Sequence, residues 1–171
     1  VSGPNDFKRI TAQYDRALTD HSILQGLIHR SLQIKKAVIE IDEFDRNQRL
    51  LFNYGHSFGH AIESLTGYRI PHGIAVSYGM DMANYLSMHL GYISQDLYKE
   101  IHVLLRKNWA GLELGRIDTD AFIRALKKDK KNIGSQVVVI LIKGIGRMFK
   151  TTLPIDAQTV RWIDQYFNNV G

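Results

Sequence analysis

The sequence predicts a mainly α-helical, multi-helix domain with a small β-hairpin near its C-terminus. Three observations carry that prediction. Apolar residues recur at helical spacing from Phe7 to Leu126. The pattern then changes to a dense β-branched run at Gln136–Ile142. A glycine turn follows at Gly144 and Gly146, before a second run of strand-forming residues.

Taken in chain order, Asn5 or Asp6 is placed to cap a first helix ending near Leu18, with Phe7, Ile10, Tyr14 and Leu18 on one stripe. Asp20 or Ser22 opens a second helix, which carries Ile23, Leu27, Leu32 and Ile34 and runs toward Ile41. A third is predicted from Asn47 to Leu65, ending near Gly67. Pro71 precedes a fourth, from His72 to His89, stopped at Gly91. Ser94 caps a fifth with Leu97, Ile101, Leu104 and Leu105; Asp118 caps a sixth with Phe122, Ile123 and Leu126. The hairpin pairs Gln136–Ile142 with Arg147–Leu153, and Asp156 caps a last helix containing Val160, Ile163 and Phe167. No repeat, low-complexity tract or linker divides the chain, so 1–171 is read as one domain.

Composition narrows the chemistry. At 171 residues, 44% hydrophobic and 23% charged, the chain is long enough to bury a core without staples. It has no cysteine, which excludes disulfides and thiolate metal sites and leaves His, Asp and Glu as metal ligands. The net charge of +5 is spread along the chain, and only Lys127, Lys128, Lys130 and Lys131 cluster, around Asp129. No fingerprint of a nucleic-acid reader accompanies that cluster, so a small anionic substrate is the expected partner and nucleic acid is not. No apolar run approaches the ~20 residues of a membrane span, and no signal-peptide pattern opens the chain, so no membrane partner and a cytoplasmic location are expected. The opening Val1-Ser2-Gly3-Pro4 lacks an initiator Met and reads as part of something longer.

The informative segment runs from Arg49 to Glu63. If it is one α-helix, Arg49, Asn53, His56 and His60 stack within an arc of ~60°, on a helix otherwise carrying Leu50, Leu51, Phe52, Phe58 and Ile62. Such a row is costly unless something polar faces it. Gly55 and Gly59 each cost about 1 kcal/mol in a helix interior, which points to close approach of a ligand or another backbone. His72 opens the next helix after a short turn, and an antiparallel return brings it back toward the middle of the first. A pair of imidazoles so placed can ligate zinc, although two ligands make an incomplete site.

These residues resemble the dehydroquinate synthase family of sugar-phosphate cyclases. The match is Arg49-x-x-x-Asn53-x-Gly55-His56-Ser57-x-Gly59-His60-Ala61-Ile62-Glu63, then His72-Gly73-x-Ala75-Val76-x-x-Gly79-Met80. Lys35, Asp42-Glu43, Asp129-Lys130-Lys131 and Ile145-Gly146 support it in family order. The resemblance implies that His56 and His72 are two of three zinc (or cobalt) ligands. It implies that Lys35, Arg49 and Asn53 grip the substrate's carboxylate and hydroxyls, and that His60 and Lys130 belong to the phosphate pocket. The implied activity is that of 3-dehydroquinate synthase in the shikimate pathway, a lyase that converts 3-deoxy-arabino-heptulosonate 7-phosphate to 3-dehydroquinate and phosphate through transient oxidation by NAD. The full-length enzyme is then expected to be a homodimer.

Departures from the family pattern matter as much. The family's third ligand, a Glu, and a substrate-binding Lys lie upstream of the matching segment, as does the NAD-binding domain, and no Gly-rich phosphate cradle exists here. The resemblance thus makes this chain the C-terminal metal- and substrate-binding domain, with NAD held mainly elsewhere. By itself it is expected to show no turnover and to bind zinc weakly. Ile74 stands where the family has an acidic residue. A related cyclase with a different substrate, or an inactive anionic-sugar-binding or partner module, therefore remains an alternative reading. Asn53 matches dehydroquinate synthase rather than the deoxy-inosose branch, where a Glu takes that place.

Overall fold

Helical periodicity and short polar turns produce the helices where the sequence places them, with two exceptions. The structure is a computed structural model and describes residues 2–44, 48–112, 114–128 and 136–170. Helix α1 spans Pro4–Ala17, α2 His21–Ile41, α3 His56–Leu65, α4 His72–His89, α5 Gln95–Arg106, α6 Thr119–Lys127 and α7 Ala157–Val170. Strands β1 (Gln136–Ile142) and β2 (Met148–Pro154) pair antiparallel, with Val139 opposite Thr151.

Capping explains most boundaries. Asp20 accepts from the amides of Ser22 and Ile23 at the start of α2, Ser94 from Leu97 and Asp118 from Ala121. Asp156 accepts from the Thr159 amide at 2.8 Å. The first exception is α1. Neither Asn5 nor Asp6 caps it; Gly3 does, with Pro4 in the first turn, where its missing N–H costs nothing. Asp6 instead makes a two-pronged ion pair with Arg30 on α2, at 2.8 Å on each arm.

The second exception lies at the site. The expected helix over Asn47–Leu65 is two pieces, a 3-10 segment at Gln48–Asn53 and α3 starting at His56. Gly55, at φ 78°, breaks it: a left-handed residue cannot continue a right-handed helix. Gly67, at φ 59°, ends α3 as expected.

The core is built from α3 to α7 and β1, with Leu153 of β2. Phe58, Ile62, Tyr78, Met82, Leu86, Phe122, Leu141, Ile163 and Tyr166 are almost completely buried. By contrast α1 contributes only Ala17 and α2 only Val38 to the buried set, while Leu18 and Leu32 are 73% and 59% exposed. The stripes expected to face inward on these two helices are only half covered.

The contact that fixes the site is between α3 and α4. Added Cβ atoms would meet backbone at 2.0 Å from Gly79 to the Gly55 carbonyl oxygen, at 2.6 Å from Gly55 to the Met80 nitrogen, and at 3.0 Å from Gly59 to the Ala75 oxygen. Three glycines therefore let the two helices touch main chain to main chain. The close approach foreseen for Gly55 and Gly59 is to another backbone.

Candidate metal centre

Each imidazole reaches the site by a different local device. His56 is the first residue of α3, set by the left-handed Gly55. His60 lies one turn further on the same face. His72 is the first residue of α4, after Pro71, whose extended ψ of 141° turns the chain into the helix. Backbone contact between α3 and α4 then draws the three rings into a triangle. Their centroids are 5.7 Å apart for His56–His60, 5.4 Å for His56–His72 and 5.8 Å for His60–His72.

A fourth residue joins them. Glu63 is 8% exposed, and its carboxylate Oε1 lies 3.0 Å from His72 Nδ1. On α3 the positions 56, 60 and 63 share one face, so the true polar stripe is His56, His60, Glu63. Potential ligand atoms of His60, Glu63 and His72 lie within 4.8 Å of one another. That grouping differs from the pair His56 and His72 implied by resemblance. His56 Nδ1 sits 3.3 Å from the Tyr54 carbonyl oxygen, an orientation that suits Nε2 for a ligand.

The donor set fits a borderline divalent ion. Imidazole nitrogens with a carboxylate partner suit zinc or cobalt, and no soft thiolate is present. The Tyr54 hydroxyl is buried and donates to Asn84 Oδ1, and burial raises its pKa, so it stays protonated.

The remaining expected site residues lie on neighbouring elements. Lys35 is exposed on α2. Arg49 donates from its amide to Asp42 Oδ2 at 3.0 Å and from Nη1 to the Glu43 carbonyl at 2.7 Å, so the Asp42-Glu43 pair anchors it. Asn53 ends the 3-10 segment, half-buried, three residues before His56. Lys130 lies outside the described residues. Ile74 packs against the core from the first turn of α4. An apolar cleft of about 580 Å³ runs from His56 and Tyr54 under α1 and α2, lined by Phe7, Ile10, Leu27 and Met80 among others.

The fold is shared with solved structures of two enzymes. It matches 2-deoxy-scyllo-inosose synthase, solved with carbaglucose-6-phosphate, NAD+ and Co2+, with a TM-score of 0.73 at 23% identity over 85% of this chain and 42% of that one. It also matches 2-epi-5-epi-valiolone synthase of Streptomyces hygroscopicus, solved with NAD+ and Zn2+, with a TM-score of 0.68 at 19% identity over 97% of this chain and 46% of that one.

Residues 1–132 match the family model of the 3-dehydroquinate synthase C-terminal domain, and the chain belongs to that family. Relatives include the 3-dehydroquinate synthases of Campylobacter curvus (43% identical over 75% of this chain and 38% of the relative) and Thermoanaerobacter pseudethanolicus (35% over 76% and 37%). That of Helicobacter pylori is 41% identical over 80% of this chain and 40% of its own. The chain thus spans about two fifths of the length of these relatives. Among the described residues no helix is long and apolar enough to cross a membrane.

Proposed function

We propose that this chain is the metal- and substrate-binding half of a 3-dehydroquinate synthase-type cyclase and phosphate lyase. The observation that carries the reading is the triangle of His56, His60 and His72, held at 5.4–5.8 Å by glycine-mediated backbone contact. In this reading the substrate is 3-deoxy-arabino-heptulosonate 7-phosphate, and NAD is bound mainly by an N-terminal domain outside this chain. His56 and His72 hold a zinc or cobalt ion, with a third ligand from that other domain. Such an ion polarises the hydroxyl to be oxidised and lowers its pKa.

The chain's own residues do the rest by binding and orientation. Lys35 and Arg49 supply cations for the carboxylate, and Arg suits a planar carboxylate on two prongs. Asn53, three residues before His56, orients hydroxyls, while His60 and Lys130 receive the phosphate. Holding a phosphate and a carboxylate in one conformation removes much of the entropic cost of an intramolecular elimination. The full-length enzyme works in the cytoplasm as a homodimer.

The test is phosphate release from the heptulosonate phosphate by the full-length enzyme with NAD and zinc. Turnover is expected, and His56→Ala is expected to abolish it together with stoichiometric zinc. Full activity with zinc retained in that variant would sink the ligand assignment. A second reading rests on Ile74, which puts a hydrocarbon where the family has an acid. Assaying other sugar phosphates in the same reaction separates a cyclase of different substrate from an inactive binding module, which turns over none.

A further inference from the structure

Glu63 is a buried carboxylate on a largely apolar helix, and the reaction described above gives it no task. Its side chain is 11% exposed, whereas that of His72 is 56% exposed. A carboxylate so covered needs a hydrogen-bonded partner, and the partner is the His72 ring at 3.0 Å through Nδ1. An ionised carboxylate only accepts, so this hydrogen bond keeps a proton on Nδ1 pointing at Glu63 and leaves the Nε2 lone pair on the other side of the ring.

We infer that Glu63 is a positioning residue of the metal centre: it fixes His72 as the Nδ1–H tautomer and so presents Nε2 as the ligating atom. This deepens the proposed function and rests on its assignment of His72 as a ligand. A carboxylate behind an imidazole also makes the ring a more basic donor, and loss of such a partner typically costs about 10–100-fold in metal affinity. His56 is served differently, by the Tyr54 carbonyl at 3.3 Å.

The first measurement needs no variant. Long-range proton–nitrogen correlation of the imidazoles in the 171-residue chain, at a pH where they are neutral, is expected to show His72 protonated on Nδ1. An Nε2–H tautomer overturns the inference. Zinc and cobalt isotherms of the full-length enzyme, in which the third ligand is supplied, then compare variants, each checked for native circular dichroism. Glu63→Gln keeps an acceptor oxygen in place, so the tautomer should persist and affinity should fall less than about 10-fold. Glu63→Leu should mix the tautomers and fall by about 10–100-fold. Equal losses in the two variants, with a changed cobalt visible spectrum, would mean that Glu63 itself ligates, which overturns the inference while leaving the site intact. Unchanged affinity in Glu63→Leu also overturns it. His72→Ala distinguishes the deeper failure: wild-type affinity in that variant removes His72 from the centre and overturns both readings.

Discussion

At the scale of single residues, the site depends as much on missing side chains as on present ones. Gly79 accepts the main chain of α3 so closely that a methyl group would sit 2.0 Å from the Gly55 carbonyl oxygen. Backbone cannot yield as a flexible side chain can, so Gly79→Ala must separate α3 from α4. The expected cost is about 3 kcal/mol or more, measured by urea unfolding, and the metal affinity should fall with it because His72 retreats from His56. Wild-type stability in Gly79→Ala would show that the helices do not touch as described. The sequence pointed to this contact from Gly55 and Gly59, since interior glycines need a reason, but it left open whether ligand or backbone was the neighbour. Glu63 went unread for a plainer cause. Its spacing from His56 and His60 was visible, yet a glutamate on a helix is normally solvated, and only its burial marks it as engaged.

At the scale of elements, periodicity and capping chemistry made most helices legible, because local hydrogen bonds decide where a helix starts. Asp20 illustrates this. Its hydrogen bonds to Ser22 and the Ile23 amide hold its carboxyl below the usual range, and Asp20→Ala should cost about 1 kcal/mol through loss of the cap. Thermal melts of the variant at neutral pH check this, and an unchanged midpoint would mean that α2 does not depend on its cap. What failed was the continuous helix over Arg49–Glu63. The angular argument assumed right-handed geometry through Gly55, and a glycine is the one residue for which that assumption is weakest. The imidazoles still converge, because His56 and His60 both lie beyond the break. Arg49 and Asn53 do not share their helix; both lie on the 3-10 segment, and Arg49 is further held by Asp42 and Glu43. Exposure of Leu18 and Leu32 was beyond sequence reading too, since an amphipathic stripe says that a face is apolar and not what covers it.

At the scale of the whole molecule, a polar network is sealed where α4, α5 and α7 meet. Asp81 is fully buried and is held by His102 Nδ1 at 2.9 Å and by the Tyr166 hydroxyl at 2.9 Å. Nearby, His89 stacks on Trp162 and meets Tyr85, tying α4 to α7, and its Nε2 is buried without a hydrogen-bond partner among the described residues. The two histidines differ in consequence. His102 has a carboxylate, whereas burial alone acts on His89 and lowers its pKa below the usual 6.5. The unfolded chain then binds more protons than the folded one as pH falls below that value, so stability is full above about pH 6.5 and is lost as pH drops through the depressed folded value. A second acid limb follows at lower pH. There Asp6, held down by Arg30, and Asp156, held down by the Thr159 amide, fall below their usual 3.8 and lose their stabilising contribution as they protonate. His89→Phe keeps the aromatic stack and removes the titrating nitrogen. Urea midpoints followed from neutral pH to about pH 5 should therefore fall less in the variant than in the wild type, while the carboxylate limb below remains. Parallel curves through that window would place the acid sensitivity elsewhere in the fold and leave His89 a neutral spacer between α4 and α7.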